Sequence, residues 1–299
     1  MNAVKTRAIL AAAATIVSAS ASVTEPVELA DFVALARPAP VETLAYGPAP
    51  SQAIDVFLPR GDGPHPVAIL IHGGCWKDLP GAGREQLRPM GRALADRGIA
   101  VWSIGYRRAN EAGGGYPGTF EDAASAIDMV RKEAARLRLD LARSAVVGHS
   151  AGGHLALWAA VRGRLPANSA LRRAVPFIPR SVISLAGVGD LRQFARFVPV
   201  LCGPDILERL APAEAPYTEI SPAEMPAPAS RVVTISGTLD RLVPPYVAHD
   251  YAQAMKRRHA VSVERIDIPD AGHFDLVTPG TRAWDKVMAR IAAALDASP

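Results

Sequence analysis

Apolar and polar positions fall into blocks along this chain, and the blocks change period. Residues 53–58 (AIDVFL) place apolar side chains around Asp55 in the two-residue rhythm of a strand, and PRGDGP at 59–64 supplies turn chemistry directly after. Residues 67–71 (VAILI) are continuously apolar over a strand's length, as a strand buried on both faces must be. Helical spacing follows at 87–97, where Leu87, Met90 and Leu94 share a face and Gly98 marks the stop. A second apolar run, 99–104 (IAVWSI), predicts another buried strand. The pattern at 120–139 predicts a long helix with Ala123, Ile127, Val130 and Ala134 on one face, with Thr119 as N-cap and Asp122 closing a capping box. Further strands are expected at 144–147, 181–185, 231–235 and 261–268, and helices at 151–162 and 282–295.

Strands alternating with helices imply an α/β fold, a mostly parallel sheet with helices on both faces. Residues 188–230 break the alternation: they are dense in proline and short of regular pattern, and they predict a cap-like insertion over the active-site end of the sheet. Residues 22–49, rich in Pro and Ala, are expected to be extended. No internal repeat or linker divides the remainder, so 50–299 is expected to form one catalytic domain.

Composition narrows the function classes. The 299 residues are 49% hydrophobic and 21% charged, in the range of a soluble globular protein. The net charge of +4 comes from scattered arginines such as Arg84, Arg88, Arg92 and Arg97, without the basic stripe and interleaved aromatics that a nucleic-acid partner requires. Residues 1–21 read as a signal peptide: Lys5 and Arg7 precede an uncharged apolar run at 8–17, and Ala19-Ser20-Ala21 fits the small-x-small cleavage pattern. That run is too short to span a bilayer, so a periplasmic or secreted protein without a membrane span in its mature chain is expected. An oxidising compartment would permit Cys75 and Cys202 to pair, but their sequence positions leave the pairing open. No CxxC or His-x₃-His spacing suggests a metal, and no cofactor is called for. Oligomeric state leaves no trace in the sequence.

The chemistry gathers around AVVGHSAGGH at 145–154. A strand runs into Gly148-x-Ser150-x-Gly152 and a helix begins at once, the context a nucleophile elbow needs. The helix would bring its N-terminal N–H groups beside Ser150, where anionic charge would develop. His72-Gly73-Gly74-Cys75-Trp76 follows the VAILI strand as an oxyanion loop would, with backbone donors expected from Gly74 and Cys75 and a third from Ala151. Trp76 is expected to contact substrate, and His72 to brace the loop. A serine nucleophile needs a base and a carboxylate, in the chain order Ser, Asp or Glu, His. His273 lies in a loop after the last strand, whereas His249 and His259 fall on an expected helix amid charged neighbours. Asp240 lies in the turn after the preceding strand and is preferred to Asp190, which also follows a strand, and to Asp267, Asp270 and Asp275, which crowd His273 in sequence. His154, one turn beyond Ser150, is expected to brace its helix, and Arg107 with Asp122 to form a scaffold pair.

Together HGGCW, GHSAGGHLALW, GTLDRLVP and AGHF resemble the esterase/lipase and arylformamidase (kynurenine formamidase-like) branch of the α/β-hydrolase superfamily, over roughly residues 50–297. The resemblance implies Ser150, Asp240 and His273 as triad and Gly74, Cys75 and Ala151 as oxyanion donors. Cys75 stands where HGGG esterases often carry glycine, while formamidase-like members accept a substituted residue before tryptophan. A carboxylic ester with a small or medium acyl group is the preferred substrate, and an arylformamide the alternative. A peptidase is disfavoured for want of room for an appended gate. A non-catalytic hydrolase-fold binding protein is disfavoured because every triad member has a candidate.

Overall fold

Each apolar run forms a strand, and one further strand precedes them: β1 (Glu42–Ala45), β2 (Ala53–Phe57), β3 (His65–Ile71), β4 (Ala100–Ile104), β5 (Leu139–His149), β6 (Ser181–Leu185), β7 (Arg231–Gly237) and β8 (Glu264–Ile268). The computed structural model describes residues 25–35, 37–259, 261 and 263–296; the signal peptide expected at 1–21 lies outside them. The strands make one sheet in the order β1-β2-β4-β3-β5-β6-β7-β8. Its first two pairings, β1 with β2 and β2 with β4, are antiparallel, and all the rest are parallel. β2, β4 and β6 are buried at every position, as strands covered on both faces must be.

The helices are α1 (Leu29–Ala34), α2 (Arg88–Ala95), α3 (Gly118–Glu133), α4 (Ala151–Val161), α5 (Leu191–Phe194), α6 (Val198–Leu201), α7 (Ile206–Leu210), α8 (Tyr217–Ile220), α9 (Pro245–His259) and α10 (Trp284–Asp296). α4 packs on β5 and β6 and against α3, while α10 packs on β3, β5 and β6. α2 lies along β4, and Arg97 just beyond it sits over the Trp284 ring at the start of α10. α4 has no polar face: all of its residues are buried, because sheet, α3 and insertion enclose it. Among the described residues no helix is long and apolar enough to cross a membrane. This architecture is the α/β-hydrolase fold.

Several elements depart from the sequence reading. Thr119 does not cap α3; the helix starts a residue earlier, with Pro117 at the N-cap position. Its hydroxyl instead donates to Arg107 O (2.5 Å) and accepts from Gly115 N (3.0 Å), while Asp122 holds Arg107 through Nε and Nη2, both at 2.8 Å. The loop at 107–115 has claimed both groups that the capping box needed. α3 also stops at Glu133, and β5 begins at Leu139, well before the expected 144. Its first residues pair with His65 and Pro66 ahead of a register shift, and their half-exposed pattern hid them. The stretch 22–49 carries α1 and the edge strand β1, whose side chains alternate between half-buried and exposed. The stretch 188–230 is built from α5 to α8, each a single short turn or two.

Candidate active site

β5 ends at His149, Ser150 takes φ 55° and ψ −120°, and α4 starts at Ala151. An L-residue held there costs on the order of 1–3 kcal/mol and persists only where its surroundings over-determine it. They do: Ser150 N–H donates to Leu185 O on β6 (2.9 Å), and Ser150 O accepts from His154 N–H (3.1 Å). Gly152 makes the close approach possible, since a Cβ there would lie 2.2 Å from Ile71 O and 2.4 Å from His72 O. Ser150 itself stays half-buried.

The loop after β3 lies beside this turn. A Cβ on Gly73 would come within 3.0 Å of the Ser150 Cβ, so backbone passes directly against the elbow. Gly74, Cys75 and Trp76 then adopt φ values of 104°, 58° and 49° in succession. The two non-glycine residues each carry roughly 1–2 kcal/mol of left-handed strain. Among the described residues none accepts a hydrogen bond from the N–H of Gly74, Cys75 or Ala151, the three expected oxyanion donors. Trp76, expected at the substrate, is 1% exposed, and its indole N–H donates to His154 Nδ1 at 3.2 Å. His154 passes the bond on, Nε2–H donating to Ile220 O at 2.7 Å at the end of α8. His154 therefore braces oxyanion loop, α4 and insertion together. Trp158, one turn further along α4, donates to Glu219 O at 2.9 Å and fixes the same segment. Cys75 is covalently bonded to Cys202 at the end of α6, across 127 residues of sequence.

Asp240 and His273, on the loops after β7 and β8, meet. His273 Nδ1–H donates to Asp240 Oδ2 at 2.7 Å, and Asp240 Oδ1 accepts from Leu242 N–H (2.9 Å) and Val243 N–H (2.8 Å). An ionised carboxylate only accepts, so the proton sits on Nδ1 and the lone pair of Nε2 is free. Among the described residues no hydrogen bond joins the Ser150 hydroxyl to His273. The two approach through His149, which precedes Ser150 and whose ring centre lies 4.5 Å from that of His273. Such bonds are often long before substrate tightens them. The rival Asp190 caps α5, accepting from Gln193 N–H at 3.0 Å.

Three features had no sequence signal. His149 Nε2–H donates to the backbone oxygen of His273 (3.1 Å), while its buried Nδ1 finds no partner among the described residues. Asp275 accepts from Gly272 N–H (2.6 Å) and from Val27 N–H (3.1 Å), tying the start of the chain to the histidine loop. Phe32 on α1 stacks on Phe274 at 5.0 Å and meets His149 edge-on at 6.5 Å. His72, His149 and His154 are all fully buried, and burial drives their pKa values down: His72 to about 3, His154 to about 4 and His149 well below the ordinary value, helped by nearby His273. His72 also stacks on Tyr106 at 4.3 Å and pairs through Nδ1 with Gly73 O at 2.8 Å. The imidazoles of His72, His149 and His154 are thus neutral.

The model of the BD-FAE family matches residues 54–254. Esterase LipC of Mycobacterium tuberculosis is 28% identical over 248 residues, 78% of this chain and 59% of its own length. Esterase LipQ of the same organism is 25% identical over 231 residues, 71% of this chain and 51% of its own. The chain therefore spans between half and three-fifths of these two relatives. Among solved structures, the butyrate-bound esterase 2 of Thermogutta terrifontis superposes with a TM-score of 0.62 at 22% identity, covering 81% of this chain and 88% of that one. A truncated carbohydrate esterase from gut microbiota superposes with a TM-score of 0.67 at 21% identity, covering 85% and 94%.

Proposed function

The chain belongs to the BD-FAE family, and from that premise we propose that it is a serine hydrolase of carboxylic esters with small or medium acyl groups, working through Ser150, His273 and Asp240. The observation that carries this reading is the strained Ser150 turn, beside three backbone N–H groups, those of Gly74, Cys75 and Ala151, that find no acceptor among the described residues. Two relatives named as esterases support the reaction class.

Ser150 Oγ attacks the ester carbonyl while its proton passes to His273 Nε2, and Asp240 stabilises the imidazolium through Nδ1–H. The tetrahedral oxygen, now anionic, takes up the N–H groups of Gly74, Cys75 and Ala151, each worth about 3–4 kcal/mol where such a donor has been removed. The carbon–oxygen bond to the alcohol breaks and His273 returns the proton to it. Water then attacks the acyl-Ser150 ester with His273 again as base, releasing the acid. No step calls on a cofactor. Export belongs to the same reading, since a Cys75–Cys202 bridge suits an oxidising compartment.

A panel of p-nitrophenyl esters of graded acyl length, with an aryl formamide beside them, tests the substrate. A fluorophosphonate probe tests the nucleophile. Short esters are expected to turn over fastest, and Ser150→Ala to abolish both turnover and labelling. A marked preference for the formamide would overturn the substrate class, and Ser150→Ala retaining near-native turnover would overturn the mechanism.

A further inference from the structure

Resting on the reading of Ser150 as nucleophile, the geometry points to the Cys75–Cys202 bridge as a positioning clamp for the oxyanion loop, with the 188–230 insertion as its anchor. The loop cannot hold its shape from within. Gly74, Cys75 and Trp76 are left-handed in succession, and the N–H groups of Gly74 and Cys75 bond to no acceptor among the described residues. Each neighbour of Cys75 has its own restraint. Gly73 lies against the Ser150 side chain, and Gly74 O accepts from Lys77 N–H at 2.9 Å. Trp76 is buried, held by His154 through its indole and by Ala109 N–H on its carbonyl at 2.6 Å. Cys75 is half-buried, and the bond to Cys202 fixes its side chain.

The other end of the bridge is firm. Cys202 is buried, and its N–H donates to Val198 O at 2.8 Å. α6 packs on α7, whose Ile206 and Leu210 are fully buried. The insertion is in turn fastened to α4 by Trp158 on Glu219 O and His154 on Ile220 O. It therefore grips the loop twice, once covalently at Cys75 and once through His154 at Trp76. A loop freed at Cys75 relaxes toward ordinary backbone and carries an oxyanion donor out of line. A shift of about 1 Å in such a group costs on the order of a hundredfold in rate. Ground-state binding of the ester does not use this donor fully, so the loss falls on kcat.

The experiment compares the oxidised protein with its reduced form and with Cys202→Ser on a short p-nitrophenyl ester. Dithiothreitol supplies two electrons and two protons, converting the bridge to two thiols and itself to a cyclic disulfide; where the native bridge resists, Cys202→Ser provides the open form. Opening is expected to lower kcat about tenfold or more, with KM within about twofold and the fold intact by thermal melting. Affinity for a trifluoromethyl ketone, which mimics the tetrahedral state, should fall in step with kcat. Reoxidation should restore the native protein, and Cys202→Ser should ignore reductant. Where that variant fails to fold, the Cys75→Ala/Cys202→Ala pair replaces it. An unchanged kcat with both thiols titrated, or a rise in KM alone, would overturn the clamp. Oxidised protein inert toward both esters and fluorophosphonate would overturn the reading of Ser150, and the clamp with it.

Discussion

Asp240→Asn changes one atom and isolates one hydrogen bond. The native carboxylate uses Oδ2 for His273 Nδ1–H and Oδ1 for the N–H groups of Leu242 and Val243. An asparagine can sit there in two ways. With its carbonyl turned to His273, its amide N–H₂ would face two backbone donors, and each buried donor so orphaned costs about 1–3 kcal/mol. With its carbonyl toward Leu242 and Val243, both loop bonds survive and the amide donates to Nδ1. The second placement wins, because moving the imidazole proton to Nε2 costs far less than orphaning two donors. Nε2 then carries the proton and cannot accept another from Ser150. The same tautomer error in a serine triad lowers kcat by about 10⁴, or roughly 5.5 kcal/mol in the barrier. Steady-state hydrolysis of p-nitrophenyl acetate, with a thermal melt to show that the fold persists, measures it. A folded Asp240→Asn protein within about tenfold of native kcat would refute this tautomer argument. Asp190→Asn is the control: Asp190 only caps α5, so its kcat should stay within about twofold.

Other expectations follow from the same geometry. Gly152→Ala should cost more than about 4 kcal/mol or prevent folding, since its Cβ would press on the carbonyls of Ile71 and His72; a melting temperature within about 2 °C of native would contradict the close approach. The neutral, buried His154 takes up its proton near pH 4 when folded but near its ordinary value when unfolded, so the unfolded state holds the extra proton between the two. Stability should therefore fall as pH drops below about 6.5, by about 3 kcal/mol from His154 once pH 4 is reached. Urea titrations across that range should show the slope, and His154→Gln, which can keep both hydrogen bonds, should make it shallower by the His154 share, leaving that of His72 and His149. Phe32→Ala should remove the stack on Phe274 beside His273, lowering kcat and exposing residues 25–35 to limited proteolysis. Native kcat together with native protease resistance would argue that α1 has no bearing on the site.

What could be read from the sequence was local. VAILI and SVISL are apolar without interruption because both faces of their strands are covered, and no long-range information is needed to see it. Gly148-x-Ser150-x-Gly152 was legible because a strand, a strained turn and a helix succeed one another within a dozen residues. Asp240 and His273 were paired by chain order, and the structure brings their side chains within 2.7 Å. What escaped was decided at a distance. Thr119 and Asp122 have the composition of a capping box, but Arg107 and Gly115 compete for them successfully. β1 has few apolar residues because it lies at the sheet edge, and β2 rather than its own composition makes it a strand. Phe32 had no pattern around it to mark it as a neighbour of His149 and Phe274.

The hydrogen bond from Val27 N–H to Asp275 spans 248 residues, and it sets the order in which the protein can be completed. During synthesis α1 is made long before Phe274 and the histidine loop, and until they follow it finds nothing to stack on. The Ser150 turn and the loop after β3 can form before His273 has been made, and the α1 segment docks only after it. Translation therefore passes through a chain with Ser150 in place and no imidazole beside Asp240. On the reading proposed for Ser150, a nascent chain that has not reached residue 273 has no hydrolytic competence.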